Sequence, residues 1–257
     1  MSTVRHSEDV FFEEEDFRLP HKPGYYALAK QPLYSLVLLV PLILLYEIGT
    51  ILVNTDVITG REYRIVAFNL VEALGALFGL SGPYMPGILC VVILLGWHLA
   101  TRHGWKLHQN VLLGMLVEAV FLCLPLLLLN RFFTTGYLIP NAAAPPGEWL
   151  AEMTFAIGAG LYEELLFRLL FITFANMLLV DVLRGNETLC GLFIVILSAL
   201  LFAGYHYWPG GEAFNWDTFS FRAIAGLYFG GLFLLRGFGI TAATHAAYDI
   251  IAVLLSG

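Results

Sequence analysis

A chain of 257 residues that is 59% hydrophobic and only 13% charged carries more apolar surface than one water-soluble core can bury. Its mean hydropathy of +0.78 points the same way. The formal net charge of −7, with 13 Lys and Arg in all, argues against nucleic-acid binding, which needs a clustered basic face. The expectation is a polytopic membrane protein with one domain in the bilayer.

In chain order, residues 1–33 read as an aqueous amino-terminal tail. They hold the acidic cluster Glu13, Glu14, Glu15 and Asp16, and no apolar run follows a basic start as it would in a signal peptide. Residues 34–257 read as an integral membrane helical domain. Its apolar runs, cut where Pro, Gly and charges gather, fall near 34–53, 65–80, 86–100, 110–130, 149–180, 189–207, 219–235 and 240–255. These runs are continuously apolar and lack the alternation of barrel strands. The fold class expected is therefore all-α, a polytopic transmembrane helical bundle of seven or eight helices. Several runs fall short of the ~20 residues that a perpendicular span needs. The fifth has the opposite problem, since as one helix it would run about 48 Å against a hydrocarbon core of ~30 Å. Gly158 and Gly160, just ahead of Glu163, mark it for a kink, an unwound turn, a strong tilt or the emergence of one end. The loop 131–148, with Pro140, Pro145 and Pro146, is the longest internal break and a candidate cover for one mouth of the bundle. Cys90, Cys123 and Cys190 lie in apolar runs without paired spacing and read as packing residues. Gly226, Gly230 and Gly231 form a small-residue face suited to close helix packing.

The chemistry gathers in the C-terminal half. Tyr162-Glu163-Glu164-Leu165-Leu166-Phe167-Arg168 sets three ionised side chains inside an apolar run, where charge is costly and needs a partner. Glu164 and Arg168 stand i,i+4 with the acid first, the favourable order for a helical ion pair. Glu163 points about 100° away and is left as a spare carboxylate. A network that only packs helices together would use the same residues. His206 ends the apolar run beginning at Ile194, with Phe202 one turn before it; alone, it reads equally as an interfacial anchor. His245 and Asp249 stand i,i+4 on one face, so the carboxylate can fix the imidazole tautomer or both can act on one ligand. Two carboxylates and two imidazoles make an inventory for activating water. The same set, Glu163, His206, His245 and Asp249, is also a candidate ligand set for a divalent metal such as zinc, although the His-Glu-x-x-His spacing is absent and no Cys contributes. If the helices simply alternate, His206 lies near one end of its run and His245 about 8 Å from the opposite end of its own. Their meeting then requires offset spans, a fold-back of residues 209–216, or a deep cavity enclosed by the last four helices.

The motif order resembles that of a known family. Glu163-Glu164-x-x-x-Arg168, Phe202-x-x-x-His206, a Gly-rich run ending in Arg236, and His245-x-x-x-Asp249 are similar to the CPBP family, the type II CAAX prenyl endopeptidases and abortive-infection proteins. The resemblance covers about residues 151–255, and the protease-like core is expected at 149–255. It implies that Glu163 and His206 activate the hydrolytic water, that His245 and the residue four later stabilise the oxyanion, and that Glu164 with Arg168 gives structural support. It also implies a glutamate-dependent mechanism without metal, although both kinds have been argued for the family. Two departures stand out. The CAAX enzymes carry Asn where this chain has Asp249, and an ionised carboxylate can only accept hydrogen bonds. Asp249 is therefore assigned to orienting His245 or to a metal. Leu169 replaces the usual Gly after the motif Arg.

The function expected is an intramembrane endopeptidase that cuts a peptide or protein substrate near the bilayer surface, with a bacterial inner membrane as the expected location. Two other classes use the same residues differently. One is a non-catalytic membrane adaptor or immunity protein of the same fold. The other is a transporter or proton relay built on Glu47, Glu72 and Glu118, acids of the earlier runs with no partner visible in sequence.

Overall fold

The computed structural model describes residues 23–56, 58–133, 149–208 and 211–256. The acidic cluster 13–16 and most of loop 131–148 lie outside the described residues. Each expected apolar run contains one helix, with ends displaced by a few residues. In chain order the helices are α1 (Tyr25–Ala29), α2 (Pro32–Val53), α3 (Val66–Ala76), α4 (Met85–Thr101), α5 (Gln109–Phe133), α6 (Trp149–Val182), α7 (Glu187–Tyr205), α8 (Trp216–Arg236) and α9 (Phe238–Ser256). Among the described residues there is no β-sheet, only the isolated bridge between Thr55 and Glu62. Six helices, α2 and α5 to α9, are long and apolar enough to cross a membrane. Helix α3 is too short to do so, since its 11 residues rise only about 16 Å.

Local chemistry sets several boundaries. Pro32 opens α2 at a position where its missing N–H is no loss. The Asn186 side chain accepts from Leu189 N–H at 3.0 Å and caps α7. Asn215 does the same for α8, accepting from Asp217 N–H at 2.7 Å. Helix α8 passes into α9 through Gly237 alone, at φ +85°, a conformation a side chain would oppose. Leu52, Leu128 and Leu189 are among many large apolar side chains left more than 60% exposed. That outward surface marks an integral membrane protein, because lipid covers it.

Helix α9 is the hub. It packs on α2, α5, α6 and α8, and 67% of its apolar stretch is buried. Helices α7 and α8 run antiparallel at close range: a Cβ on Gly226 would lie 2.9 Å from Ala199 Cα, and one on Gly230 2.9 Å from Val195 Cγ1. Gly231, the third member of the small-residue face, meets nothing. Cys90 and Cys123 are buried and reduced. Within the segment expected as tail, Ala29 is buried and Tyr25 donates to Glu118 at 2.5 Å. Glu118 also takes Arg236, at 2.5 and 2.7 Å, so α1, α5 and the end of α8 share one clasp.

The overlong fifth run is one continuous helix. From Ala159 its winding widens: Ala159–Glu163 and Leu165–Ile172 are π-helical, with the N–H groups reaching one residue further back than in an α-helix. Beyond Ile172 none of its residues is buried, so its last turns leave the packed bundle.

Candidate active site

Gly160 sets how closely the site's two main helices approach. A Cβ there would collide with the Ala246 backbone, 2.6 Å from its Cα, so only glycine lets α6 and α9 touch at this level. One turn further along α6 come Glu163 and Glu164, and Ala246 directly follows His245. The contact therefore brings the two carboxylates to the imidazole.

His245 Nδ1 lies 2.8 Å from Glu164 Oε1. Its Nε2 faces Glu163 Oε2 at 3.7 Å and Asp249 Oδ2 at 3.4 Å. Phe229 stacks on the imidazole, centroids 4.4 Å apart, and fixes the ring plane. Glu164 also meets Arg168 Nη1 at 3.1 Å, and Arg168 Nη2 donates to the Gly226 carbonyl at 3.1 Å. The guanidinium lies 4.4 Å from the centroid of Phe202. The i,i+4 spacing thus becomes a contact, and Glu164 works on two residues where the sequence pattern offered one.

Glu163 points the other way, into a cavity of about 60 Å³ lined by residues of the last four helices, among them His206, Arg222, His245, Tyr248 and Asp249. By the ~10–15 Å³ that a water-sized sphere occupies, water fits there. His206 Nδ1 lies 2.9 Å from the Phe202 carbonyl oxygen, which has no proton to give. That nitrogen therefore carries the hydrogen, and in the neutral ring Nε2 is left to accept one.

His206 and His245 line the same cavity although simple alternation of helices would keep them apart. Phe202 reaches the His245 ring at 5.9 Å and the His206 ring at 5.4 Å, bridging the difference in level. After His206 the chain turns back, with Glu212 N–H donating to the His206 carbonyl at 3.1 Å. Residues 209 and 210 of that fold-back lie outside the described residues.

Three residues at the site escaped the sequence reading, one bonded to Glu163 and two lining the cavity. Tyr205 donates to Glu163 Oε1 in a short hydrogen bond. Tyr248 lines the cavity and accepts from Asn130 at 3.0 Å. Arg222 lines it too and pairs with Glu212 at 2.7 Å. Charge inside an apolar run, the signal that singled out Glu163, would have found Arg222; nothing in sequence marks which way either tyrosine faces.

The donors do not fit a metal as they stand. Among the described residues no three His, Cys, Asp or Glu side chains are grouped as ligands. Zinc–ligand distances of ~2.0–2.2 Å need donors aimed at one point, whereas His245 Nδ1 is taken by Glu164 and its Nε2 faces two carboxylates directly.

One family model matches part of the chain. Residues 145–251 match the model described as type II CAAX prenyl endopeptidase Rce1-like. The segment is similar to that family and is called the Rce1-like segment for that similarity alone. It contains all of the candidate residues and agrees with the resemblance carried by the motifs, and it leaves α1 to α5 unmatched. No curated protein and no solved structure matches the chain. Two of the earlier acids have partners: Glu47 pairs with Arg64 at 2.8 Å and takes the Tyr162 hydroxyl at 3.2 Å, and Glu118 pairs with Arg236, so both reach side chains of the matched segment.

Proposed function

We propose that the protein is an intramembrane endopeptidase that hydrolyses a peptide bond of a peptide or protein substrate near the membrane surface, with water activated by Glu163 and His206. The observation that carries this reading is the convergence of Glu163, His206, His245 and Asp249 on one water-sized cavity inside an Rce1-like segment. Tyr205 orients the Glu163 carboxylate by its hydrogen bond. Glu163 takes a proton from the bound water, and the water oxygen attacks the scissile carbonyl. His206, which lines the same cavity, is the second proton carrier through the Nε2 of its neutral ring. Glu164 holds the His245 ring from behind, and Arg168 neutralises Glu164. Asp249 stands with Glu163 beside His245 Nε2 and orients that edge of the ring. The pairing of Glu47 and Glu118 with arginines leaves the proton-relay alternative without free acids at those two positions.

The test is cleavage of a peptide library by the purified protein in detergent, read by mass spectrometry, with and without a chelator. Wild type is expected to cleave, and to continue in chelator. Glu163→Gln and His206→Ala are expected to lose at least about 10²-fold in rate while eluting as folded protein, the scale of general acid–base catalysis. Full activity in either variant would remove that residue's assignment.

A further inference from the structure

The candidate cavity contains a cation whose partners do not use it up. Arg222 is buried on α8 and lines the cavity with Glu163, His206, His245 and Asp249. Its Nη2 donates to Glu212 at 2.7 Å and its Nη1 to the Tyr207 hydroxyl at 3.3 Å. A guanidinium has five N–H donors in a rigid fork, so three remain without a partner among the described residues. Arg168, the other buried arginine nearby, is occupied by Glu164 and Gly226 and does not line the cavity.

Peptide hydrolysis places negative charge on the carbonyl oxygen, and donors aimed at that oxygen supply much of the rate. Tyr248 accepts from Asn130 and can offer at most one neutral hydroxyl hydrogen, a weaker donor to developing charge than a cationic fork, and the other polar groups here are poor candidates. Glu163 and Asp249, when ionised, only accept. His206 gives its Nδ1 hydrogen to the Phe202 carbonyl, and Tyr205 gives its own to Glu163. His245 Nδ1 faces Glu164, and its Nε2 faces Asp249 at 3.4 Å, whose carboxylate competes for that edge of the ring and, when ionised, repels an oxyanion there.

On the peptidase reading above, we propose that Arg222 is a catalytic residue that donates to the scissile carbonyl oxygen as charge develops there, supplying the donor that Asp249 does not. Glu163 takes a proton from water, the water oxygen bonds to the carbonyl carbon, and the π pair moves onto the oxygen facing Arg222. On collapse that pair returns, the C–N bond breaks, and the proton held by Glu163 goes to the departing nitrogen. Glu212, from the segment that folds back after His206, holds the fork in place and is a positioning residue.

The experiment uses the full chain in detergent and a reporter peptide chosen as one that wild type cleaves. Arg222→Gln is expected to lose at least about 10²-fold in kcat, with KM changed less than threefold. Arg222→Ala is expected to regain at least tenfold in kcat with 20 mM guanidinium chloride, on the order of the rescue expected when a freed donor site is refilled, while Glu163→Gln regains nothing. A kcat within threefold of wild type for Arg222→Gln, a loss confined to KM, or no gain of Arg222→Ala with guanidinium would overturn the assignment. Should Arg222→Gln not fold, Arg222→Lys carries the same comparison. It keeps the charge without the fork, and a kcat equal to wild type counts against the proposal. Wild type that cleaves no library peptide removes the peptidase reading and this role together, whereas active wild type with an inert Glu163→Gln and an active Arg222→Gln removes Arg222 alone.

Discussion

Arg168 has no exposed surface, and its charge is answered from three directions: Glu164, the Gly226 carbonyl and the face of Phe202. Removing one partner of a buried ion pair leaves the other charge uncompensated, at a cost of about 3–5 kcal/mol. Arg168→Met is therefore expected to destabilise the protein by about 3–5 kcal/mol, read as a fall in the denaturant midpoint in detergent. The double variant Arg168→Met/Glu164→Gln should recover part of that loss, since no lone charge remains. An unchanged midpoint in the single variant would show that the pair does not hold the site. The i,i+4 spacing was enough to pair these two residues from sequence. It was not enough to find His245 Nδ1 on the far side of Glu164, because that contact depends on how α6 meets α9.

At the scale of the element, Gly158 and Gly160 stood out as a weak point in an overlong helix. The structure gives Gly160 a different task, since α6 stays continuous and widens its winding while Gly160 admits the Ala246 backbone. Gly160→Ala forces the two helices apart by something near 1 Å to restore ordinary carbon–carbon contact. Displacement of that size at a reacting centre costs on the order of 10²-fold in rate, and overpacking costs about 1–3 kcal/mol. Both losses are expected, in kcat on a reporter peptide and in the thermal midpoint. Unaltered cleavage by Gly160→Ala would mean that the site tolerates a looser approach. Helix positions were legible because apolar runs end at Pro, Gly and charge. The widened winding was not, since an apolar run looks the same under either periodicity over so few turns.

For the molecule as a whole, the Rce1-like segment does not possess a core of its own. Phe155, Leu161, Tyr162 and Leu165 from α6 and Ala242 from α9 pack in one cluster with Leu39 and Tyr46 of α2, Phe68 of α3 and Leu94 of α4. Tyr162, next to Glu163, lies edge-on to Tyr46 and Phe68 at 5.1 and 5.0 Å and donates to Glu47. The unmatched α2 to α4 therefore form the wall behind the proposed catalytic helix. Residues 149–257 expressed alone are expected to aggregate or be degraded, whereas co-expression with 1–148 should restore a soluble complex in detergent. A monodisperse, heat-stable 149–257 fragment would contradict this shared core.

The amino-acid sequence by itself determined the all-helical membrane architecture, the places of the apolar runs and the candidate residues Glu163, His206, His245 and Asp249. These follow from short-range physics: the cost of charge in hydrocarbon and the 3.6-residue repeat act along one helix and can be read along one helix. Only the tertiary structure decided that His206 and His245 share a cavity, that Glu164 serves both Arg168 and His245, and that Arg222 and Tyr205 face Glu163's side of the bundle. Those relations join residues up to 81 positions apart, as with Glu164 and His245. They depend on the depth and rotation at which helices pack, which side-chain volume at positions such as Gly160 and Gly226 sets, and which no single helix encodes.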